Sequence, residues 1–421
     1  MRLLLGGLIA ALLLLPFQHH DAKVLALPGP DFWLRCSSSL LVLATGLLLA
    51  LCIAVIVGLR ARQIGPRTEK FIALLGRALA CVPVVVLTWG FISGWIGRLG
   101  WPVESLMPAQ FPGSQRAPFA QALWEFLAPA LLLALPLCGE MIHAVIMDGR
   151  SISNLDFSLR ARGVPKASRL WLHHLNQLLP LLRVRLQSLC LIAPVYLIII
   201  EDALHFMGWG DWMAQSLRAG GAGGIPLGFV SGAAMLALLS ASLQLLPGRK
   251  KSAAGFVTTL AWQPWLLWAL GILALLPTSL LSWLALWIAL LLSGSAAWYH
   301  AWNHIEAALP IDAARVCGAT DSMIWRDHIS RVLHPMLAAW ICTLFAQTLL
   351  CIAVACAMLP RLIDSLNGPL AKIYRPLALA SAQDAAQTLA DPTALLQSGA
   401  TIALAALCLL QVSRIVKPRL S

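Results

Sequence analysis

The stretch IDAARVCGATDSMIWRDHISRVLHP at residues 311–335 has an earlier counterpart in LDFSLRARGVPKASRLWLHHLNQLLP at residues 155–180. In each stretch a histidine lies ten residues after a glycine, and a proline lies seventeen residues after the same glycine. An acidic residue lies a few positions before that glycine. This shared order and spacing indicate that the chain repeats itself. The aligned residues are Asp156, Gly163, His173 and Pro180 in the first stretch and Asp312, Gly318, His328 and Pro335 in the second.

The rest of the chain has the composition of a membrane protein. Hydrophobic residues make up 59% of the sequence and charged residues only 11%, and the mean hydropathy is +0.80. Because a helix needs about 20 mostly apolar residues to cross a bilayer, we predict an all-α polytopic membrane protein with about ten transmembrane helices. The predicted spans lie near residues 1–16, 37–59, 71–96, 122–147, 186–202, 225–246, 258–276, 279–299, 336–358 and 397–413.

Basic residues cluster in every second connection between these spans. The formal net charge is +12, but basic residues beside apolar spans set membrane orientation, so the charge does not indicate nucleic-acid binding. Placing both termini in the cytoplasm puts residues 97–121, 203–224 and 359–396 on the outer side. The clustered basic residues are Arg60, Arg62, Arg67, Lys70, Arg150, Arg160, Arg162, Lys166, Arg169, Arg183, Arg185, Arg249, Lys250, Lys251, Arg414, Lys417 and Arg419.

The N-terminus and the cysteines each allow two interpretations. Residues 1–16 have the early arginine and short apolar run of a signal peptide, but the absence of a convincing cleavage site before His19 favours a retained first helix. Most of the ten cysteines lie in or near apolar spans, which favours packing over disulfides. The charge-dense junction LPGRKKSAAG at 246–255 divides the chain into residues 1–248, with about six spans, and a shortened second half, residues 249–421, with about four.

Each repeated stretch has the residue types of a rigid helical connection. Asp156 is expected to start a short helix, and Gly163 permits a tight turn that most residues resist. The amphipathic segment that follows leads back towards the membrane. Pro180 suits a first helical turn, where the missing amide donor would be unpaired anyway. The second stretch repeats the scheme, so Gly318 and Pro335 have the same expected roles.

The second stretch resembles the cytoplasmic coupling loop of ABC importer permeases, in the branch that transports dipeptides, oligopeptides and nickel. The first stretch is a drifted copy, in which SLRARG ends in Arg162 and Gly163 where the family usually has Thr-Ala-Arg-Ala-x-Gly. The match in the second stretch follows the family's acidic-Ala-Ala-x-x-x-Gly core. The matching residues are Asp312, Ala313, Ala314 and Gly318.

A second resemblance to this family lies in the segment EDALHFMGWGDW at residues 201–212. It is similar to the family segment of the form Glu-Thr-x-Phe-x-x-Pro-Gly-x-Gly-x-x after the fifth helix, although Met207 stands where Pro is usual. The tail RIVKPRLS resembles the family's closing pattern. The chain departs from the family in lacking a long outward segment after its first helix and two helices of the second half. The coinciding residues are Glu201, Gly208 and Gly210.

The resemblance implies a type I ABC permease in the bacterial cytoplasmic (inner) membrane. Two ATPase domains would bind the two loops and carry ATP and Mg²⁺, and an outer solute-binding protein would deliver the solute; no cofactor is expected on this chain. The sequence contains no Gly-x-x-x-x-Gly-Lys-Ser/Thr phosphate loop, so ATP hydrolysis is expected on partner subunits. Short peptides are the expected solute, with nickel or metallophore complexes as the alternative.

Other polar constellations suggest different functions. Glu140 and His143 have the spacing of a metal-ligand pair, but a bundle metal site needs a second pair and further carboxylates, so we predict an interhelical contact. His300 with His304, and His19-His20-Asp21, are weak metal candidates. A membrane-embedded transferase that uses Glu140, His143, His300 and His304, and a non-transporting scaffold, are the alternatives of other classes.

Overall fold

The structure is a computed structural model, and every regular element in the residues it describes is a helix, as the sequence predicts. The junction near residue 248 lies outside these residues, so the division into halves stays a prediction. The structure describes residues 30–93, 119–150, 158–204, 206–218, 224–245, 317–318, 320–359, 362–363, 366, 368–381 and 393–416, with scattered positions between 267 and 291.

The helices follow one another along the chain with short π-helical turns in both repeated stretches. The first half has α1 (Pro30–Ile64), α2 (Pro66–Cys81), α3 (Val84–Phe91), α4 (Phe119–Arg150), α5 (Lys166–Ser168), the π-helical turn π1 (Arg169–His174), α6 (Leu175–Cys190), α7 (Ala193–Ala203), α8 (Trp209–Arg218) and α9 (Gly224–Ser242). The second half has α10 (Asp321–Ile324), the π-helical turn π2 (Trp325–Ile329), α11 (Ser330–Met358), α12 (Pro369–Ser381) and α13 (Thr393–Val416).

Five of the described helices, α1, α4, α9, α11 and α13, are long and apolar enough to cross a membrane. Two bent pairs, α2 with α3 and α6 with α7, raise the number to seven if each pair is one span. This architecture is that of a polytopic membrane protein. The predicted spans near 1–16, 258–276 and 279–299 lie wholly or largely outside the described residues, so the total of ten stays a prediction.

Proline explains where the two pairs bend. The span predicted at 71–96 is broken between α2 and α3 by 89°, because Pro83 lacks an amide donor and holds Val82 in an extended conformation. The pair α6 and α7 bends by 53°, and Pro194 lies in the first turn of α7. Proline is tolerated there because the first amides of a helix have no partner within it.

Glycine brings the helices of the first half into close contact. A Cβ at Gly46 would lie 2.9 Å from Leu133 Cδ2, and one at Gly58 would lie 2.6 Å from Val145 Cγ1. α1 and α4 therefore pack in parallel, with the side chains of Leu133 and Val145 packed directly against the two glycines. Such small-residue contacts hold helices together in lipid, where the solvent supplies no hydrophobic driving force between them.

α2 crosses α4 even more closely, at Gly76 and Gly139. A Cβ at Gly139 would lie 2.4 Å from the Gly76 carbonyl oxygen and 2.8 Å from the Ala80 amide nitrogen. We expect Gly139→Ala to force the helices apart and to lower the free energy of unfolding by about 1–3 kcal/mol. Thermal unfolding of the purified chain in detergent measures this effect. Leu135→Ala, on the exposed side of the same helix, is the matched control. Equal melting temperatures for the two variants would contradict the close contact of α2 with α4 at Gly139.

The second half packs onto the first through α13. α11 and α13 form an extensive helix pair, and α13 also lies against α2. Arg77 on α2 joins three helices, since its Nε donates to His143 Nε2 on α4 at 3.2 Å and its Nη1 donates to the Leu410 carbonyl on α13 at 3.3 Å. The two halves therefore share one interior in the described residues.

Candidate functional site

Gly163 ends a helical stretch in the first repeated segment with a defined hydrogen-bonded turn. Its φ is +74°, a left-handed conformation that side chains disfavour. The Gly163 N–H donates to the Arg160 carbonyl at 3.0 Å, and the Val164 N–H donates to the Leu159 carbonyl at 3.1 Å. This pair of bonds is the Schellman motif that closes many helices. The tight turn predicted at Gly163 is confirmed.

Gly318 adopts the same conformation in the second segment, with a φ of +81°. A helix begins three residues after each glycine, at Lys166 and at Asp321. In the second segment Thr320 caps that helix, because its carbonyl accepts from the Ile324 N–H at 3.0 Å and its Oγ1 accepts from the Met323 N–H at 3.4 Å. The repeat in sequence is therefore also a repeat in backbone conformation.

The likeness of the two segments continues through the π-helical turns. π1 and π2 both end eleven residues after the glycine, and they contain His173 and His328. The helix then returns to α geometry without a break, in α6 and in α11. Each segment is thus a glycine turn followed by one continuous helix that enters a candidate membrane span.

The predicted position of the prolines is wrong. Pro180 lies inside α6, and Pro335 lies inside α11, in helices that are already continuous from Lys166 and Asp321. Each proline follows the end of its π-helical turn by six residues. The two segments therefore have a π-helical turn and an internal proline at the same spacing, although the helix continues through both features.

The remaining residues predicted for these segments are only partly described. Arg162 and His173 are exposed. Asp156, Asp312, Ala313 and Ala314 lie outside the described residues.

The first segment packs beside the C-terminal end of α1. Lys166 Nζ donates to the Gln63 carbonyl at 2.5 Å, and Trp171 in π1 packs against the buried core. The glycine turn at Gly163 therefore lies at the same end of the bundle as Arg60 and Arg62, two of the basic residues that the charge pattern places on one side.

The residues Ser39, Glu201, Gly208 and Gly210, here called the Glu201 site, are assembled at the other end of α1. Glu201 is fully buried. Its Oε1 accepts from Ser39 Oγ at 2.7 Å, and its Oε2 accepts from the Gly210 N–H at 2.6 Å. Ser39 Oγ in turn accepts from the Trp209 N–H at 2.7 Å. These bonds hold the loop before α8 against both α7 and α1.

The two glycines of this site leave room for the carboxylate. A Cβ at Gly208 would lie 2.1 Å from Glu201 Oε2 and 2.4 Å from Ser39 Oγ. A Cβ at Gly210 would lie 2.7 Å from Glu201 Oε2 and 2.9 Å from the Ile198 Cα. The three residues singled out in sequence are therefore brought into direct contact. Ser39 was missed, although a run of three serines at 37–39 in an apolar span was an available signal.

Two ion pairs and a buried indole surround the Glu201 site. Arg35 Nη1 lies 3.6 Å from Asp211 Oδ2, and Arg218 Nη2 pairs with Asp202 Oδ2. Trp209 is fully buried and donates from Nε1 to Ser231 Oγ on α9 at 2.9 Å. α8 is thereby connected to α1, α7 and α9.

The length of α1 separates the Glu201 site from the glycine turn. The helix runs from Ser39, beside Glu201, to Gln63, beside Lys166. At 1.5 Å per residue these contacts are about 36 Å apart, more than the roughly 30 Å hydrocarbon core of a bilayer. The segments predicted to lie on opposite sides of the membrane therefore lie at opposite ends of a membrane-length helix.

Arg77 on α2, Glu140 on α4 and Arg185 on α6 form a charged cluster. Arg77 and Arg185 are close enough to interact electrostatically with the Glu140 carboxylate. The predicted interhelical contact is confirmed for His143, which accepts from Arg77. No group of three His, Cys, Asp or Glu side chains suited to a metal ion occurs in the part of the chain that the structure describes. His300, His304 and residues 19–21 lie outside that part.

Comparison with known proteins returns no match: no family model, no curated protein and no solved structure is similar to this chain.

Proposed function

We propose that the chain is the transmembrane permease of an ATP-driven ABC importer, with both permease halves in one polypeptide. The observation that carries this proposal is the duplicated segment, in which a left-handed glycine is followed by a helix, a π-helical turn and an internal proline. A dimeric ATPase presents two equivalent surfaces, and two equivalent elements on one chain suit such a partner.

The continuity of each segment supports a coupling role. From Asp321 to Met358 the chain is helical without a break, so a force on the turn at Gly318 acts directly on the span α11. The turn at Gly163 leads in the same way into α6. In the proposed mechanism ATP binding closes the ATPase dimer and draws the two glycine turns together, which rotates these helices and opens the pathway outward. Hydrolysis then resets it.

The proposed arrangement follows the two ends of α1. The glycine turns face the cytoplasm of a bacterium, where two ATPase domains with ATP and Mg²⁺ bind them, and both termini are cytoplasmic. The Glu201 site and α8 face outward, where a solute-binding protein delivers short peptides. The hydrogen bonds and ion pairs of that site give the outer surface the fixed shape that docking of a binding protein needs.

The first test is the composition of the complex in its native membrane. We expect the affinity-tagged chain to co-purify with two ATPase domains per copy, measured by mass spectrometry and by the stoichiometry of the purified complex. The same complex in proteoliposomes, supplied with its solute-binding protein, should take up peptides only with ATP. A chain that purifies alone would contradict the proposal and favour the scaffold or the enzyme. Peptide uptake without ATP would contradict an ATP-driven importer.

A further inference from the structure

One side of α2 is exposed along the first half of the helix. The exposed residues recur at intervals of three and four positions, which places them on one face of an α-helix. This face, here called the α2 stripe, is basic near the start of the helix and apolar further along it. Its residues are Arg67, Lys70, Phe71, Leu74 and Leu75.

The opposite side of α2 faces the protein. Ala73, Gly76 and Ala80 are buried there, and Gly76 meets Gly139 on α4. The only acidic residue of the helix is Glu69, which precedes Ala73 by four residues and Gly76 by seven. Glu69 therefore belongs to the buried side, and the α2 stripe has two positive charges and no negative charge.

The basic end of the α2 stripe lies near the membrane surface, and its apolar end lies deeper. α2 begins where α1 ends and runs back to Gly139 on α4. Gly139 lies six residues before Val145, which contacts Gly58 of α1, so this crossing is about 9 Å deeper than Gly58. Along α2, Arg67 lies about 14 Å before the crossing and Leu75 lies beside it. The stripe therefore extends from the end of the bundle that holds the Gly163 turn into the apolar layer.

The positive charge at this end of the bundle is not balanced by nearby acidic residues in the sequence. Glu69 is the only acidic residue between Asp31 and Glu104. Within the described part of the chain, Arg67 and Lys70 form no hydrogen bond or ion pair. Arg60, one turn before the end of α1, is also exposed. Basic residues here also orient the protein in the membrane, but orientation does not require them to share a face with an apolar surface.

We propose that the α2 stripe binds an anionic phospholipid in the leaflet on the side of the Gly163 turn. Arg67 and Lys70 bind the headgroup phosphate, because guanidinium and ammonium groups form charge-assisted hydrogen bonds with phosphate oxygens. Arg60 adds attraction for a headgroup with a net negative charge. The apolar end of the stripe packs against the acyl chains, which lie below the headgroup in the same order as the residues of the stripe. The proposal rests on the membrane-spanning fold and not on the importer function.

The experiment measures lipid binding to the full chain, purified in detergent and stripped of lipid, by native mass spectrometry. The probes are phosphatidylglycerol, which has a net negative charge, and phosphatidylcholine with the same acyl chains and no net charge. We expect the wild type to bind one phosphatidylglycerol at least about tenfold more tightly than phosphatidylcholine. Arg67→Gln combined with Lys70→Gln should remove most of this preference, at about fivefold for each charge. Arg67→Lys combined with Lys70→Arg retains both charges and should retain the preference.

The matched control is Lys372→Gln combined with Arg375→Gln on α12, an exposed basic pair with the same spacing. It removes the same charge from another helix and should leave the preference at the wild-type value. Equal affinity of the wild type for the two lipids, or the same loss in both glutamine pairs, would overturn the site. Displacement of the bound lipid by glycerol 3-phosphate would overturn it in favour of a simple anion site. A dimer that the α2 variant converts to a monomer would overturn it in favour of a protein interface.

Discussion

Gly318→Val is expected to abolish ATP-driven uptake while the chain still inserts in the membrane. At a φ of +81° a β-branched side chain is strained by roughly 1–3 kcal/mol, and the turn relieves this strain by moving to another conformation. The start of α10 would then no longer point where the ATPase binds. Because α10, π2 and α11 form one continuous helix, the ATPase would then no longer move the span α11. We expect uptake in proteoliposomes to fall at least tenfold and one of the two ATPase domains to be lost.

The matched control at this position is Gly318→Asn. Asparagine is a residue that enters the left-handed region at little cost, so uptake should stay near wild type. Gly163→Val, at a φ of +74°, should remove the other ATPase domain. Wild-type uptake in either valine variant would contradict a coupling role for the glycine turns, and equal losses in the valine and asparagine variants would show that the turn conformation is not the cause.

Gly208→Ala is expected to have the largest effect on folding. The added methyl would lie 2.1 Å from Glu201 Oε2 and 2.4 Å from Ser39 Oγ, and both atoms are held by buried hydrogen bonds. Relief of the clash breaks those bonds and leaves polar groups buried without partners, which costs about 1–3 kcal/mol for each group. We expect a strong fall in the yield of folded protein and in the melting temperature of the remainder.

Gly90→Ala is the control for this variant, since no atom lies within 4 Å of the Cβ it would add. Ser39→Ala gives an intermediate case, because it removes one hydrogen bond to Glu201 without adding an atom. The expected order of melting temperatures is therefore Gly90→Ala highest, Ser39→Ala next and Gly208→Ala lowest. A Gly208→Ala protein as stable as wild type would contradict the assembled Glu201 site.

The sequence predicted those parts of the candidate site whose conformation depends on neighbouring residues. The left-handed turn at Gly163 follows from glycine's missing Cβ and from the polar residues around it, so the sequence alone indicated it. The position of Pro180 could not be read in this way. Whether a proline begins a helix or lies inside one depends on the backbone before it, and the π-helical turn that joins α5 to α6 has no sequence signal comparable to a glycine or a proline.

The sequence by itself determined the class of the molecule and its internal repeat. Apolar runs of membrane length, basic connections and the residue spacing around Gly163 and Gly318 are properties of neighbouring residues, so they can be recognised without the fold. Tertiary structure alone decided that Ser39 binds Glu201 from 162 residues away, and that Arg77 and Arg185 lie close enough to Glu140 to interact with it electrostatically. Contacts of this kind are set by which helices pack together and at what level, and small steric details such as Gly46 and Gly139 determine that packing.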